Sequence, residues 1–348
     1  MKSSFPLRID ETPLPHLMTG PEKHLFQLMT GFFASKLLAV AVELDLFSWL
    51  SQKPRQFEEI RVHCGLALRP CQILLDALVS INLLAYQDRR YENTATAELL
   101  LVRGQADFQG PHIQLLDHLY VACADLKSAL LENRPVNQDY SYFFQPAGGE
   151  VTGYSHLMHN SSLIPAMVLP QYWDFSDSQT VLDIGGGYGR LCLSLVTQYP
   201  TLHTILFDLP AVCEKANMLL AQQPASITAR IEIHPGDFFR DPLPDTADIM
   251  VMMRVAHDWP RTQVAEIFHK AYVALPHGGH LLIYETFKDN ESRPGEAALI
   301  SLLLLLISPG GECRTFADVA TLLREVGFSR IERIPTVYCY SLVVAEKD

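Results

Sequence analysis

The sequence has little of what would hold it on nucleic acid, in a membrane or around a metal. Its 348 residues carry 27 Lys and Arg against 39 Asp and Glu, a formal net charge of -12. That sign repels phosphate backbones and anionic headgroups, so neither nucleic acid nor a membrane is an expected partner. The densest apolar run, AALISLLLLLI from Ala297 to Ile307, is about half of what a bilayer-crossing helix needs. It reads as a buried helix in the core or at a subunit interface. The N-terminal stretch MKSSFPLRIDETPLPHL lacks the apolar centre of a secretory signal, and Pro6, Pro13 and Pro15 make it a loose arm. Seven cysteines are scattered without a C-x-x-C pair or any other zinc spacing. Reduced thiols in a cytoplasmic setting follow, and no metal site is expected. The pair Asp289-Asn290 hints at a metal-dependent route but lacks a third carboxylate after the fourth strand. No internal repeat or low-complexity tract interrupts the chain.

What is present is a large core. A hydrophobic share of 48% with only 19% charged residues marks a chain that folds, and its length suggests two domains. Leu25, Leu28, Met29, Phe32 and Phe33, then Leu37, Leu38, Val40, Ala41 and Leu44, fit helical spacing over two consecutive segments. From Phe57 to about Thr94 the order is helix, turn, helix and a polar hairpin, AYQDRRYENT, which is a winged helix. Such a unit can read DNA, yet Arg69 is the only basic residue between Leu66 and Gln87. An apolar winged helix of this kind pairs with a second subunit instead. Residues 1–105 are accordingly assigned to a mainly helical dimerisation domain, 106–170 to a helical linker with pocket residues, and 171–348 to the catalytic domain.

Beyond residue 171, apolar strands alternate with helical patterns: TVLDIG, HTILFDL, ARIEIHPGDFF, ADIMVMM and GHLLIYETF. This alternation predicts a parallel sheet wound with helices on both faces. The first strand runs into VLDIGGGYGR, a glycine turn that opens a helix, and such a crevice binds a small polar ligand. Gly185, Gly187 and Gly189 alternate behind Asp183, unlike the G-x-G-x-x-G spacing of a pyrophosphate site. A ligand without phosphates suits them better. Asp208 ends the second strand where a carboxylate meets ribose hydroxyls. Asp237 follows the third strand, placed to meet an adenine amino group with Phe238 against the ring.

With these in order, the chain resembles the class I S-adenosylmethionine-dependent O-methyltransferases of the plant caffeic-acid type and their bacterial, acetylserotonin-type relatives. The resemblance covers nearly the whole sequence: an apolar winged helix, then D-x-G-G-G-x-G, F-D-L-P, G-D-F-F, H-D-W and P-G-G-x-x-R-T. It implies a seven-stranded Rossmann-like α/β methyltransferase domain, S-adenosyl-L-methionine as cofactor, a homodimer and a small, aromatic, hydroxylated acceptor. Relatives of this fold also methylate carbon, hydroxylate, decarboxylate or cyclise, which stands as the alternative function.

The same resemblance assigns roles. His257, just past the fourth strand, matches the general base, which takes a hydroxyl proton as the oxygen attacks the methyl group. Glu285, closing the fifth strand, matches the glutamate that orients it. Arg254 falls with the cofactor residues, and Tyr154 and Met158 match the acceptor wall. Asp258 reads as a cap for a helix beginning near Pro260. One departure stands out: Cys313 occupies the place of a second family glutamate, and Glu312 lies one residue earlier. Either Glu312 turns inward, or Glu285 alone supports the histidine, or the reaction has changed.

Overall fold

A computed structural model describes residues 20–105, 107–135, 158, 161–289, 295–337 and 339–348. The chain forms two compact units, Met1–Gln105 and Ala106–Asp348. The first contains α1 (Pro21–Glu43), α2 (Leu46–Ser51), α3 (Phe57–His63), α4 (Leu68–Ser80), the hairpin β1 (Leu84–Gln87) and β2 (Arg90–Asn93), and α5 (Ala95–Leu100). The hairpin turns on Asp88 and Arg89, whose φ values of 48° and 59° match the two-residue turn that follows strand twist. The helix-turn-helix and wing expected from the sequence are therefore present. α4 buries Cys71, Leu74, Leu75 and Leu78, so its apolar stripe is spent on packing.

α1 corrects the two-segment reading. The gap between the two apolar patterns, Ala34-Ser35-Lys36, is helical, and the helix also runs through Gly31, since one interior glycine costs only about 1 kcal/mol. Leu25, Phe26, Leu28, Met29, Phe32 and Phe33 on it are exposed, more apolar surface than a lone soluble helix leaves uncovered. By length and composition alone it is long and apolar enough to cross a bilayer, a property shared with helices of soluble proteins. The charges at Glu22, Lys23 and Lys36 hide this from a search for unbroken apolar runs.

The second unit begins with α6 (Gly110–Leu119), α7 (Leu126–Glu132) and α8 (Leu163–Val168). It continues as β3 (Thr180–Ile184), α9 (Arg190–Gln198), β4 (His203–Asp208), α10 (Pro210–Leu220), α11 (Ala225–Thr228), β5 (Ile231–Pro235), β6 (Ile249–Met253) and α12 (Arg261–Ala274). Then follow β7 (His280–Thr286), α13 (Ala297–Ile307), α14 (Phe316–Val326), β8 (Ser329–Pro335) and β9 (Tyr340–Glu346). The seven strands lie in the order β5-β4-β3-β6-β7-β9-β8. β9 is antiparallel to both neighbours, while β3 to β7 pair in parallel.

Both faces of this sheet are covered, which is why its strands read as nearly unbroken apolar runs. Leu182, Ile184, Met250, Met252, Leu281 and Ile283 face α12 and α14 through Ile267, Phe268 and Leu322. Val181, Val251, Leu282 and Tyr284 point the other way, onto Leu191 and Leu195 of α9 and Ala166 of α8. The chain reverses its winding between β3 and β6, and the crevice outside their carboxyl ends is where ligands of open α/β sheets sit.

Candidate active site

Three segments meet at that crevice: the glycine turn after β3, the turn after β6 and the end of β7. Gly185, Gly187 and Gly189 all have positive φ, 72°, 57° and 78°. A Cβ on Gly185 would stand 2.9 Å from a Val255 methyl, so this glycine lets the first two segments touch. Gly187 has nothing within 4 Å of a Cβ, and its backbone faces open space.

Asp183 lies under the turn at 2% exposure and accepts from the Cys192 thiol at 3.7 Å. Burial, aided by the neighbouring Asp208 charge, raises its pKa to about 7. Asp208 accepts from the Gly187 and Leu209 N–H groups at 2.8 and 2.7 Å. Desolvation of its carboxylate outweighs both donors and raises it to about 6, although the residue as a whole is only half-buried. Gly236 N–H donates to Asp208 O at 2.9 Å, which joins the Asp237 turn to this strand end. Asp237 Oδ1 accepts from Phe239 N–H at 2.9 Å, and Phe238 packs edge-on against Phe239 and Trp259. The glycines, Asp183, Asp208 and the Asp237-Phe238 turn thus form one connected cradle.

Arg254 follows β6 with φ 61°, a conformation that non-glycine residues adopt where the surroundings impose it. Its N–H donates to Tyr284 O at 3.0 Å. The guanidinium donates to Ser161 Oγ at 3.0 Å and approaches Met158 Sδ at 3.8 Å. A residue expected beside the cofactor therefore directs its head toward one expected on the acceptor wall. Tyr154 lies outside the described residues.

His257 sits in a single 3-10 turn, Ala256–Asp258, and is 8% exposed. Its Nδ1 is 3.6 Å from Glu285 Oε2 and its Nε2 is 3.6 Å from Asp258 Oδ1. Those separations exceed a direct hydrogen bond, and among the described residues Nδ1 has no hydrogen-bond partner. Burial, reinforced by the Arg254 and Arg314 cations, lowers the imidazole pKa to about 3. Burial also raises Glu285 to about 7 and pushes Asp258 well above the usual carboxylate range. The ring is neutral at pH 7 and able to accept a proton.

Asp258 is not the expected cap. The position before α12 is Pro260, without a side-chain cap bond, and Asp258 instead flanks the imidazole. Glu312 does not turn inward: its side chain is 52% exposed and pairs with Lys288 at 3.3 Å. Cys313 is fully buried among Leu304, Leu306 and Ile307 of α13 and Leu115 and Leu119 of α6. Sequence reasoning missed Asp258 as a neighbour of the base and Ser161 as the partner of Arg254. A short polar side chain carries no signal of what a distant segment brings to it.

A family model described as an O-methyltransferase domain matches residues 142–329, and one described as an O-methyltransferase dimerisation domain matches residues 26–103. The chain is 32% identical to 3-hydroxy-5-methyl-1-naphthoate 3-O-methyltransferase of Streptomyces sahachiroi, over 89% of its own length and 90% of the relative's. It is 30% identical to acetylserotonin O-methyltransferase of Bos taurus, over 93% and 97% of the two chains. Among solved structures, human N-acetylserotonin methyltransferase in complex with SAM superposes with a TM-score of 0.82 at 26% identity, covering 96% of this chain and 99% of that one.

Proposed function

Because the chain belongs to the O-methyltransferase family that carries an N-terminal dimerisation domain, we propose that it methylates a hydroxyl of a small aromatic acceptor. The donor is S-adenosyl-L-methionine and the general base is His257. The observation that carries this reading is the junction of base and cradle. Val255 touches Gly185 of the glycine turn, and two residues later His257 stands neutral between Glu285 and Asp258.

The cradle fits the cofactor. The open side of Gly187 leaves room against the backbone, and each Asp208 oxygen, having accepted one N–H, keeps a lone pair for a ribose hydroxyl. Asp183, Gly185 and Gly187 suit the methionine end, while Asp237 and Phe238 suit the base. The cofactor supplies an electrophilic methyl on a sulfonium, which leaves as the neutral thioether. Arg254 borders this end of the crevice and joins it to Met158 and Ser161.

His257 Nε2 takes the acceptor proton as the hydroxyl oxygen forms its bond to carbon and the carbon–sulfur electron pair returns to sulfur. A buried neutral imidazole gains a charge in that step, and Glu285 and Asp258 at 3.6 Å stabilise it. General-base help of this kind contributes about 10² to 10⁴ in rate, and alignment of oxygen, methyl and sulfur contributes more. Asp258, rather than residue 313, is the second acid beside the imidazole. A homodimer forms through residues 1–105, where the exposed face of α1 supplies contact surface, and Met158 and Ser161 of the 106–170 linker stand beside Arg254 of the catalytic domain, 171–348. The seven free cysteines suit the cytoplasm.

The test is S-adenosylhomocysteine release with a panel of phenols, by mass spectrometry, on the wild type and His257→Ala. Stoichiometric methyl ether and by-product are expected, with turnover about a hundredfold or more lower in the variant. Product formed without the by-product rejects methyl transfer, and retained turnover in His257→Ala rejects the base.

A further inference from the structure

The segment Ser308–Arg314 closes over the turn that carries His257. Arg314 Nη1 donates to Ala256 O at 3.0 Å, Glu312 N–H to His257 O at 2.8 Å, the Ser308 hydroxyl to Asp258 O, and Arg314 Nη2 to Trp259 O. Every carbonyl from 256 to 259 is taken in this way. A one-turn 3-10 helix cannot satisfy these groups within itself. Two glycines allow the approach: a Cβ on Gly311 would stand 2.9 Å from His257 O, and one on Gly310, at φ 99°, would stand 3.0 Å from Pro260.

The same segment is fastened to the strand end bearing Glu285. Lys288 N–H donates to Arg314 O at 2.9 Å, three residues beyond that carboxylate. Cys313 N–H donates to Ser301 Oγ of α13 at 3.1 Å. One stretch of chain thus holds the His257 turn, the strand end that bears Glu285 and the leucine-rich helix.

We propose that Arg314 is a positioning residue for methyl transfer: its guanidinium, bridging Ala256 O and Trp259 O, fixes the orientation of the His257 turn relative to Glu285. This rests on His257 being the base. A planar fork with several donors can span two carbonyls at once, which a lysine ammonium on a flexible stem does not reproduce. Arg314 touches neither acceptor nor cofactor in this role and acts through His257.

The experiment measures kcat, KM, cofactor affinity by calorimetry and the pH profile for Arg314→Gln and Arg314→Lys. The ionisable groups facing His257 are Asp258, Glu285, Arg254 and Arg314. Those facing Glu285 are His257, Asp258, Arg314, Cys313 and Tyr340. Removing the Arg314 cation favours protonation of the imidazole, so the acid limb of kcat/KM moves to higher pH. For Arg314→Gln, kcat falls about tenfold to a hundredfold, as misplacement of a base entails, while cofactor affinity holds within about threefold. Arg314→Lys returns the acid limb toward the wild type without restoring kcat. A wild-type kcat and acid limb in Arg314→Gln overturns the proposal, as does a loss confined to melting temperature. If that variant does not fold, Ser308→Ala replaces it, removing only the partner of Asp258 O. A kcat lowered about threefold or more with an unmoved acid limb supports the clamp, and an unchanged kcat overturns it. Loss of turnover in His257→Ala with wild-type Arg314 variants defeats this inference alone, whereas turnover retained in His257→Ala defeats the underlying reading.

Discussion

Glu285 divides its carboxylate over the His257 turn: Oε1 accepts the Val255 and His257 N–H groups at 2.9 and 3.2 Å, and Oε2 faces His257 Nδ1 at 3.6 Å. Asp258 Oδ1 lies equally 3.6 Å from Nε2, but Glu285 is anchored by two backbone donors. In the proposed mechanism it is this held carboxylate that draws the proton to Nδ1 and frees Nε2 to act as base. In Glu285→Gln the single amide oxygen stays with the two backbone donors, so the NH2 turns to Nδ1 and drives the proton to Nε2. We expect kcat to fall about a hundredfold or more, with cofactor affinity within about threefold, by initial rates and calorimetry. A kcat close to wild type would show that Glu285 does not select the tautomer.

Asp183 makes the fold sensitive to alkali. Its pKa of about 7 in the folded chain stands above the unfolded value of about 3.9, so the native state keeps a proton that the unfolded state releases. Stability is fully present below about pH 4 and declines as pH rises through 7. Asp208 and Glu285, raised to about 6 and about 7, act in the same direction. His257, lowered to about 3, acts oppositely, with stability lost as pH falls from about 6.5 toward 3. Comparison with Asp183→Asn isolates one group. From pH 5 to 8 the variant should gain on the wild type by on the order of a few kcal/mol in chemical denaturation, and parallel stability curves would refute this.

Placing a glutamate at position 313 should weaken the protein without quickening it. Cys313 is fully buried against α13, and burial pushes its thiol up to about 12. A carboxylate in that place loses its water close to Glu285, at a cost of about 3 kcal/mol or more. Cys313→Glu is therefore expected to melt several degrees lower, about 5 °C or more, with no gain in kcat. A faster enzyme with an unchanged melting temperature would show that this space admits an acid.

The strands and the cradle were legible because their signals are local. Asp208 and Asp237 each follow an apolar run by position alone, and the parallel order of the runs fixes which end of the sheet they share. The positive φ of Gly185 and Gly187 likewise shows in the sequence as glycine. Asp258 was not legible as a flank of the imidazole, since the turn that places it is held from Ser308, 50 residues away, whose hydroxyl donates to its carbonyl. Glu312 and Cys313 posed the same difficulty. Neighbours in sequence, they part to surface and core because the tight turn at Gly310 and Gly311 decides which of them faces α13.

The place of β9 has a consequence for how the catalytic unit is made. Tyr340–Glu346 lies between β7 and β8, and Glu285 stands in register with Ser341. Synthesis delivers this interior strand after every other strand of the sheet, so β7 waits on the ribosome with one side of its backbone unsatisfied, and β8 has nothing to join. Until Tyr340–Glu346 emerge, the carboxylate that faces the histidine belongs to an open edge. Assembly of the site is thus coupled to the emergence of β9, and a nascent chain halted before Tyr340 holds its cradle strands without a finished sheet.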